Sequence, residues 1–252
     1  MSTRDAVVAL VPAAGRGLRL GAQRPKALVP VLGESLLGRS VRGLLDAGCV
    51  ERVVVAAPED ELAAVTAETA SLPAVDVVVG GADRTDSVRR ALAAAERIVP
   101  EAGIALVHDA ARAFTPASVI SDVVRAVRAG SPAVVPVLPV SDTIKRVDGD
   151  GVVSETVDRA PLRAVQTPQA FTVDVLRVAY AGVEDAASDD AGLVEAIGQP
   201  VATVDGDPRA LKITNAFDLA VAESVLAAPR GQPRADDQPR ADDQRCVEER
   251  SR

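Results

Sequence analysis

Immediately after an apolar run at Val7–Val11 the chain carries Pro12-Ala13-Ala14-Gly15-Arg16-Gly17-Leu18-Arg19-Leu20, and then Arg24-Pro25-Lys26. Small side chains at 13, 14, 15 and 17 let a backbone approach a base or a triphosphate closely, with its N–H groups facing phosphate oxygens. Arg19 and Lys26 are the cations within reach, and Pro25 fixes the chain just before Lys26. A glycine loop that follows a first strand is where open α/β sheets bind nucleotides. Neither common phosphate loop is present: there is no Gly-Lys-Ser/Thr ending, and the dinucleotide fingerprint needs glycine where this chain has Leu20. Taken singly, a glycine pair marks a tight turn and a lone lysine or arginine a solvated face. The combination of strand, small-residue loop, arginine and Pro-fixed lysine points instead to a nucleoside triphosphate.

A second cluster is Val107-His108-Asp109-Ala110-Ala111-Arg112. Asp109 falls just past a predicted strand, at the carboxyl edge where ligands of α/β sheets bind. A carboxylate there suits Mg2+, which takes few protein ligands and leaves room for phosphate oxygens; an isolated aspartate in that place would read as a turn cap. His108 is the only histidine in the chain, reads as strand-end packing, and is assigned no chemistry.

The elements that must position these residues alternate from the start. Val7–Val11, Arg52–Ala57, Val75–Val79 and Ile104–Val107 read as buried strands. Helices are expected from Leu36 to a stop at Gly48, over Glu59–Thr69 and over Asp86–Ile98. Another should open with Thr115-Pro116 as N-cap and first residue. Repeated strand–helix units imply an α/β fold, a Rossmann-like, mostly parallel sheet flanked by helices. Ala133–Val140 is apolar, but Pro136 and Pro139 argue against an ordinary central strand throughout. Thr143–Val147 and Val152–Val157 flank Asp148-Gly149-Asp150-Gly151, a hairpin inserted in the domain. So thin a hairpin is marginal when isolated and calls for a partner surface. The rhythm returns with a helix near Val173–Ala181, a strand at Val201–Val204 and a last helix after Asn215. One domain is expected over 1–228, with the arm at about 139–160. Residues 229–252 repeat Pro-Arg-Ala-Asp-Asp-Gln twice and balance six arginines against six acids, a composition that reads as a disordered tail.

Bulk properties exclude several classes. A net charge of -8 argues against nucleic-acid binding, and the absence of Trp, with one Tyr and three Phe, removes the stacking platform for single strands. No apolar run is long enough to span a bilayer. With two cysteines, one in the tail, and no signal-peptide pattern at the N-terminus, the chain reads as cytoplasmic.

The loop resembles the signature of the sugar-phosphate nucleotidyltransferases, and within them the chain resembles the 2-C-methyl-D-erythritol 4-phosphate cytidylyltransferase family. The resemblance rests on the Val107–Arg112 cluster, on Gly80-Gly81 with Arg84-Thr85-Asp86-Ser87, and on Asp142-Thr143-Ile144-Lys145. It rests equally on Asp158-Arg159, Gln166-Thr167-Pro168-Gln169 and Leu211-Lys212-Ile213-Thr214, all in the family's order over residues 6–227. It implies transfer of CMP from CTP to a polyol phosphate, with Mg2+. Arg19, Lys26 and Lys212 would be catalytic. Pro12, Ala13, Ala14, Gly15, Gly17, Gly80, Gly81, Ser87 and Ala110 would hold the nucleotide. Asp109, Arg112, Thr143, Arg159, Thr167, Ser188 and Lys212 would line the acceptor site, with Asp109 also the metal ligand. The resemblance further implies a homodimer through the hairpin arm, with Thr143 and Arg159 reaching the neighbouring subunit's acceptor. The chain departs from the family pattern at Ala82, with Asp83 one place later, and at Ser188-Asp189-Asp190, where Thr-Asp-Glu is usual. A ribitol-5-phosphate cytidylyltransferase and a non-catalytic nucleotide-binding module remain open as alternatives.

Overall fold

A computed structural model of the chain describes residues 6–13, 25–182 and 189–227. Alternation along the first strand, β1 (Ala6–Pro12), builds two cores at once. Val8 and Leu10 point to one face and Val7, Ala9 and Val11 to the other, all fully buried. Beside β1 run β4 (Arg52–Ala57) and, outside it, β5 (Val75–Val79), both parallel. On its other side lies β6 (Ala102–Val107), also parallel. The first face is covered by α3 (Arg84–Ile98) and α5 (Val173–Ala181), through Val88, Ala91, Ala95 and Leu176. The second is covered by α1 (Leu36–Asp46) and α4 (Ala117–Arg128), through Leu37, Val41, Leu44, Ile120 and Val123. Strands buried on both faces must be apolar throughout, which is why β1, β4 and β6 read as apolar runs; β5, at the sheet edge, is half-buried and carries Asp76.

Local chemistry sets the helix ends. Ser35 caps α1 by accepting the Gly38 N–H at 2.9 Å, and Gly48 ends it at φ +71°, a conformation that favours glycine. The helix α3 begins two residues before the expected Asp86, because Asp83 is its cap and accepts the Asp86 N–H at 2.7 Å. Pro116, not Thr115, is the N-cap of α4, and the Thr115 hydroxyl donates to the Arg112 carbonyl instead. The segment expected as one helix over Glu59–Thr69 divides into a 3-10 turn, Glu59–Glu61, and α2 (Leu62–Thr69).

Beyond β6 the sheet takes a form that the strand–helix rhythm did not show. β7 (Ala133–Pro139) is a strand throughout despite its two prolines, and it is buried from Ala133 to Val137. Its partners explain how. β11 (Gln169–Thr172) pairs antiparallel with both Val134 of β7 and β6, while β10 (Arg163–Val165) pairs antiparallel with Val137–Pro139. Pro136 stands in the break between these two partners and uses only its carbonyl, which accepts the Gln166 N–H at 2.8 Å. A proline is tolerated in a central strand where the ladder is interrupted. β12 (Ala202–Asp205) runs parallel to β7 along its other edge. β10, β11 and the short helix α6 (Asp190–Ala196) have no counterpart among the sequence-based expectations.

Two small ribbons stand outside the main sheet. β2 (Pro30–Val31) pairs with β3 (Glu34–Ser35). The expected arm is β8 (Ile144–Val147) with β9 (Val153–Val157), a two-stranded sheet of its own. Its turn is held by the Asp148 carboxylate, which accepts the Asp150 and Val152 N–H groups at 3.1 and 2.9 Å. α7 (Ala216–Ala227) closes the described chain, and the expected tail lies outside it. No helix among the described residues is long and apolar enough to cross a membrane.

Candidate active site

The ends of β1 and β6 carry the first and second chemical clusters to one edge of the sheet. The His108 N–H donates to the Leu10 carbonyl at 2.9 Å, and the Ala13 N–H to the Ala56 carbonyl at 2.8 Å. Ala13 and Ala110 are both buried in the core cluster on the same face of the sheet. Ala14, Gly15, Gly17, Arg19 and Ser188, all expected site residues, lie outside the described residues.

Asp109 is the centre of the group that the structure brings together. Its Oδ2 lies 2.7 Å from Lys212 Nζ, and its Oδ1 lies 3.5 Å from Arg84 Nε. Burial alone would raise its pKa, but the Arg84 and Lys212 charges outweigh that and hold the carboxyl down at about 2. Lys212 is brought here by backbone: the Ile213 N–H donates to the Ala111 carbonyl at 2.9 Å, stitching its segment to the Asp109 loop. Nearly half of the Lys212 side chain stays exposed (46%), so an anion can still meet its ammonium.

Arg112 and Thr167 complete this group. Arg112 donates to the Ala210 carbonyl at 2.7 Å and to the Val165 carbonyl at 3.2 Å, while its Nε is buried without a hydrogen-bond partner among the described residues. Burial lowers its pKa, opposed by the Asp109 charge. The Thr167 hydroxyl accepts the Asp109 N–H at 3.0 Å and meets His108 Nδ1 at 3.0 Å. His108 is buried and pushed down to about 4, first by desolvation, so it is neutral at pH 7. Its packing role agrees with its place at the strand end.

The turn from β5 to α3 holds Gly80, Gly81 and Ser87. The Ser87 hydroxyl donates to the Asp83 carbonyl at 2.7 Å and accepts the Gly81 N–H at 3.0 Å, so its proton is already committed to shaping this loop. Gly81 has no room for a side chain, since a Cβ there would fall 2.1 Å from the Asp86 carboxylate.

Lys26 opens a 3-10 turn, Lys26–Leu28, directly after Pro25. Its charge reaches Asp218 at the start of α7, whose carboxyl is held below the usual range mainly by the Thr214 hydroxyl, with Lys26 adding to the effect. Thr143 and Arg159 are not brought into the Asp109 group. Both are exposed on the arm, where the Arg159 guanidinium donates to the Ser141 carbonyl.

Three residues given no role from the sequence join the site here. Arg84 forks onto Asp190, with Nη1 and Nη2 at 2.9 and 2.6 Å from its two oxygens, and the Tyr180 hydroxyl donates to the same carboxylate. Burial works against the Arg84 charge, but Asp190 and Asp109 more than restore it and raise its pKa. Arg84 and Asp190 sit inside recognisable motifs, whereas Tyr180 carries no local signal.

The sequence pattern of the 2-C-methyl-D-erythritol 4-phosphate cytidylyltransferase family matches residues 7–228. A protein of that name from Saccharopolyspora erythraea is 71% identical over 222 residues, covering 88% of this chain and 99% of that one. Another, from Nocardia farcinica, is 58% identical over 220 residues, covering 87% and 94%. Among solved structures, 2-C-methyl-D-erythritol 4-phosphate cytidylyltransferase from Thermus thermophilus superposes with a TM-score of 0.71 at 38% identity, over 88% of this chain and 100% of that one. The 4-diphosphocytidyl-2C-methyl-D-erythritol synthase of Anaerococcus prevotii gives 0.77 at 24% identity over 89% and 100%, a likeness of fold.

Proposed function

The chain belongs to the 2-C-methyl-D-erythritol 4-phosphate cytidylyltransferase family, and from that membership we propose how its own residues divide the work. It transfers CMP from CTP to 2-C-methyl-D-erythritol 4-phosphate, releasing pyrophosphate and giving 4-diphosphocytidyl-2-C-methyl-D-erythritol for isoprenoid biosynthesis. An acceptor phosphate oxygen attacks the α-phosphorus in line as pyrophosphate leaves. No covalent bond to the protein is needed, so the residues act by positioning and by stabilising charge.

Arg19 and Lys26 serve the triphosphate, and their charge counts most as negative charge builds on the leaving group. Pro12, Ala13, Ala14, Gly15, Gly17, Gly80, Gly81 and Ala110 form the nucleotide's cradle, read by backbone groups. Ser87 acts through the loop it ties together. At the departure from the family pattern, Asp83 spends its Oδ1 on capping α3, and Ala82 offers no carboxylate. Asp109, Arg112, Thr167, Ser188 and Lys212 serve the acceptor. The observation that carries this division is the Asp109–Lys212 pair at the carboxyl edge of β6, 2.7 Å apart, with the lysine open on one side.

No cluster of three metal-ligating side chains exists among the described residues. Mg2+ is commonly held by one or two carboxylates together with substrate phosphates. Asp109 is the carboxylate to hold it: it is ionised, and its Oδ1 has only the 3.5 Å contact with Arg84. Bound there, Mg2+ supplies neutralisation of phosphate charge.

The arm supports a homodimer. β8 and β9 are paired with each other alone among the described strands, and Val147, Val152 and Val153 are all more than half exposed. A second copy covering these valines would stabilise the arm and set Thr143 and Arg159 over the neighbour's acceptor. The reaction is a cytoplasmic one, with no nucleic acid or membrane partner.

The test is a coupled pyrophosphate-release assay with four nucleoside triphosphates and two acceptors. Turnover should require CTP and 2-C-methyl-D-erythritol 4-phosphate. Comparable turnover with ribitol 5-phosphate would move the acceptor assignment, and ATP or GTP in place of CTP would overturn the backbone-read pocket.

A further inference from the structure

We infer that Asp190 is a positioning residue for this reaction, acting on Asp109 through Arg84 and itself set in place by Tyr180. Asp190 is fully buried, the first residue of α6, and 106 positions from Arg84 in sequence. Its two oxygens take both terminal nitrogens of the Arg84 fork, which fixes the plane of the guanidinium. The Nε edge of that fixed plane is what faces Asp109 Oδ1, while Lys212 holds Oδ2 from the other side. Asp109 is therefore clamped between two cations: Arg84, whose fork is committed to Asp190, and Lys212, the more exposed of the two.

The clamp is anchored from two further directions. Tyr180 on α5 donates its hydroxyl to Asp190 Oδ1. Gln169 on β11 braces the first turn of α6: its Nε2 donates to Asp189 Oδ2 and its Oε1 accepts the Ala191 N–H, each at 2.9 Å. Asp189 in turn caps the helix at the Gly192 N–H, 3.0 Å away. A buried ion pair is a poor source of stability, because apolar residues of similar volume serve the core as well or better. One that is triply anchored and touches a substrate-side carboxylate with its free edge has a positional use. Outer-shell partners of this kind typically change metal affinity or activity by about 10- to 100-fold when removed.

This inference rests on the reading of Asp109 as the acceptor-side carboxylate, and the two can fail separately. Steady-state kinetics of Tyr180→Phe, Asp190→Asn, Arg84→Lys and Asp109→Asn, with thermal unfolding of each, make the test. Tyr180→Phe keeps the ring in the core and should lower kcat/KM for the polyol phosphate about tenfold, leaving the KM for CTP within about twofold. Asp190→Asn should do the same more strongly. Arg84→Lys keeps the charge but not the fork, and should fail to restore activity. If Asp190→Asn does not fold, Tyr180→Phe decides. Wild-type kinetics in folded Tyr180→Phe, or equal losses toward both substrates, would overturn the positioning role. Wild-type acceptor kinetics in Asp109→Asn would instead overturn the reading of Asp109 beneath it.

Discussion

Thr167 Oγ1 stands 3.0 Å from His108 Nδ1 and also accepts the Asp109 N–H, so one buried hydroxyl joins the end of β6 to a segment 59 residues later. The Asp109 group is thus built onto a neutral, buried imidazole. That has a consequence for stability against pH.

His108 is lowered from 6.5 to about 4, chiefly by burial, with the Arg112 charge adding and the Asp109 charge opposing. The unfolded chain takes up a proton near pH 6.5, and the native protein does not until near pH 4. Between those values the unfolded state binds more protons, so stability rises with pH and is lost on acidification. Going from pH 7 to pH 5 should cost about 2 kcal/mol from this group. Urea unfolding at both pH values tests it: His108→Gln should lose less than the wild type by about that amount, and an identical decline would disprove the assignment.

Lys26→Ala should reduce kcat by about 100- to 1,000-fold while weakening CTP binding far less. Pro25 fixes the backbone just before Lys26, which limits how far its ammonium must be ordered as charge develops. Lys26→Arg should recover only part of the rate, because a planar fork does not reproduce a compact ammonium. Kinetics paired with calorimetric CTP titration separate these effects. A loss below about tenfold in kcat would make Lys26 an ordinary surface lysine.

Arg159→Ala should raise the KM for the polyol phosphate with a smaller effect on CTP. If the arm crosses to a second subunit, mixing Arg159→Ala chains with Lys26→Ala chains should restore activity in heterodimers that retain one intact site. Absence of rescue, with subunit exchange demonstrated, would count against a shared site.

A chain ending at residue 228 should keep its thermal midpoint and turnover. The residues beyond carry balanced charge and a duplicated hexapeptide, with few large apolar side chains. A large drop in either measurement would reveal a docked segment.

What the sequence determined by itself was whatever short spacings encode. Valine runs declared the four parallel strands: β1, β4 and β6 because a strand buried on both faces must be apolar along its length, and β5 although it is a half-buried edge strand that carries Asp76. Gly48 and the Asp148 turn marked element boundaries because caps and turns are chemistry between near neighbours. The family was legible because a substrate held by loops imposes residue types within a few positions, and those motifs survive contiguously. Tertiary structure alone decided what meets across long separations. Pro136 argued against a strand until Gln166 and two separate partner segments accommodated it. The three- and four-residue strands β10 and β11 are too short to show a period. β11 lies antiparallel between β6 and β7, while β10 pairs antiparallel with β7 alone. Lys212 reaches Asp109, and Asp190 reaches Arg84, because the sheet and its covering helices bring those segments together. Nothing local says that an aspartate will be buried against an arginine 106 residues away, or that a tyrosine on another helix will donate to it, since burial and pairing are set by the packing of whole elements.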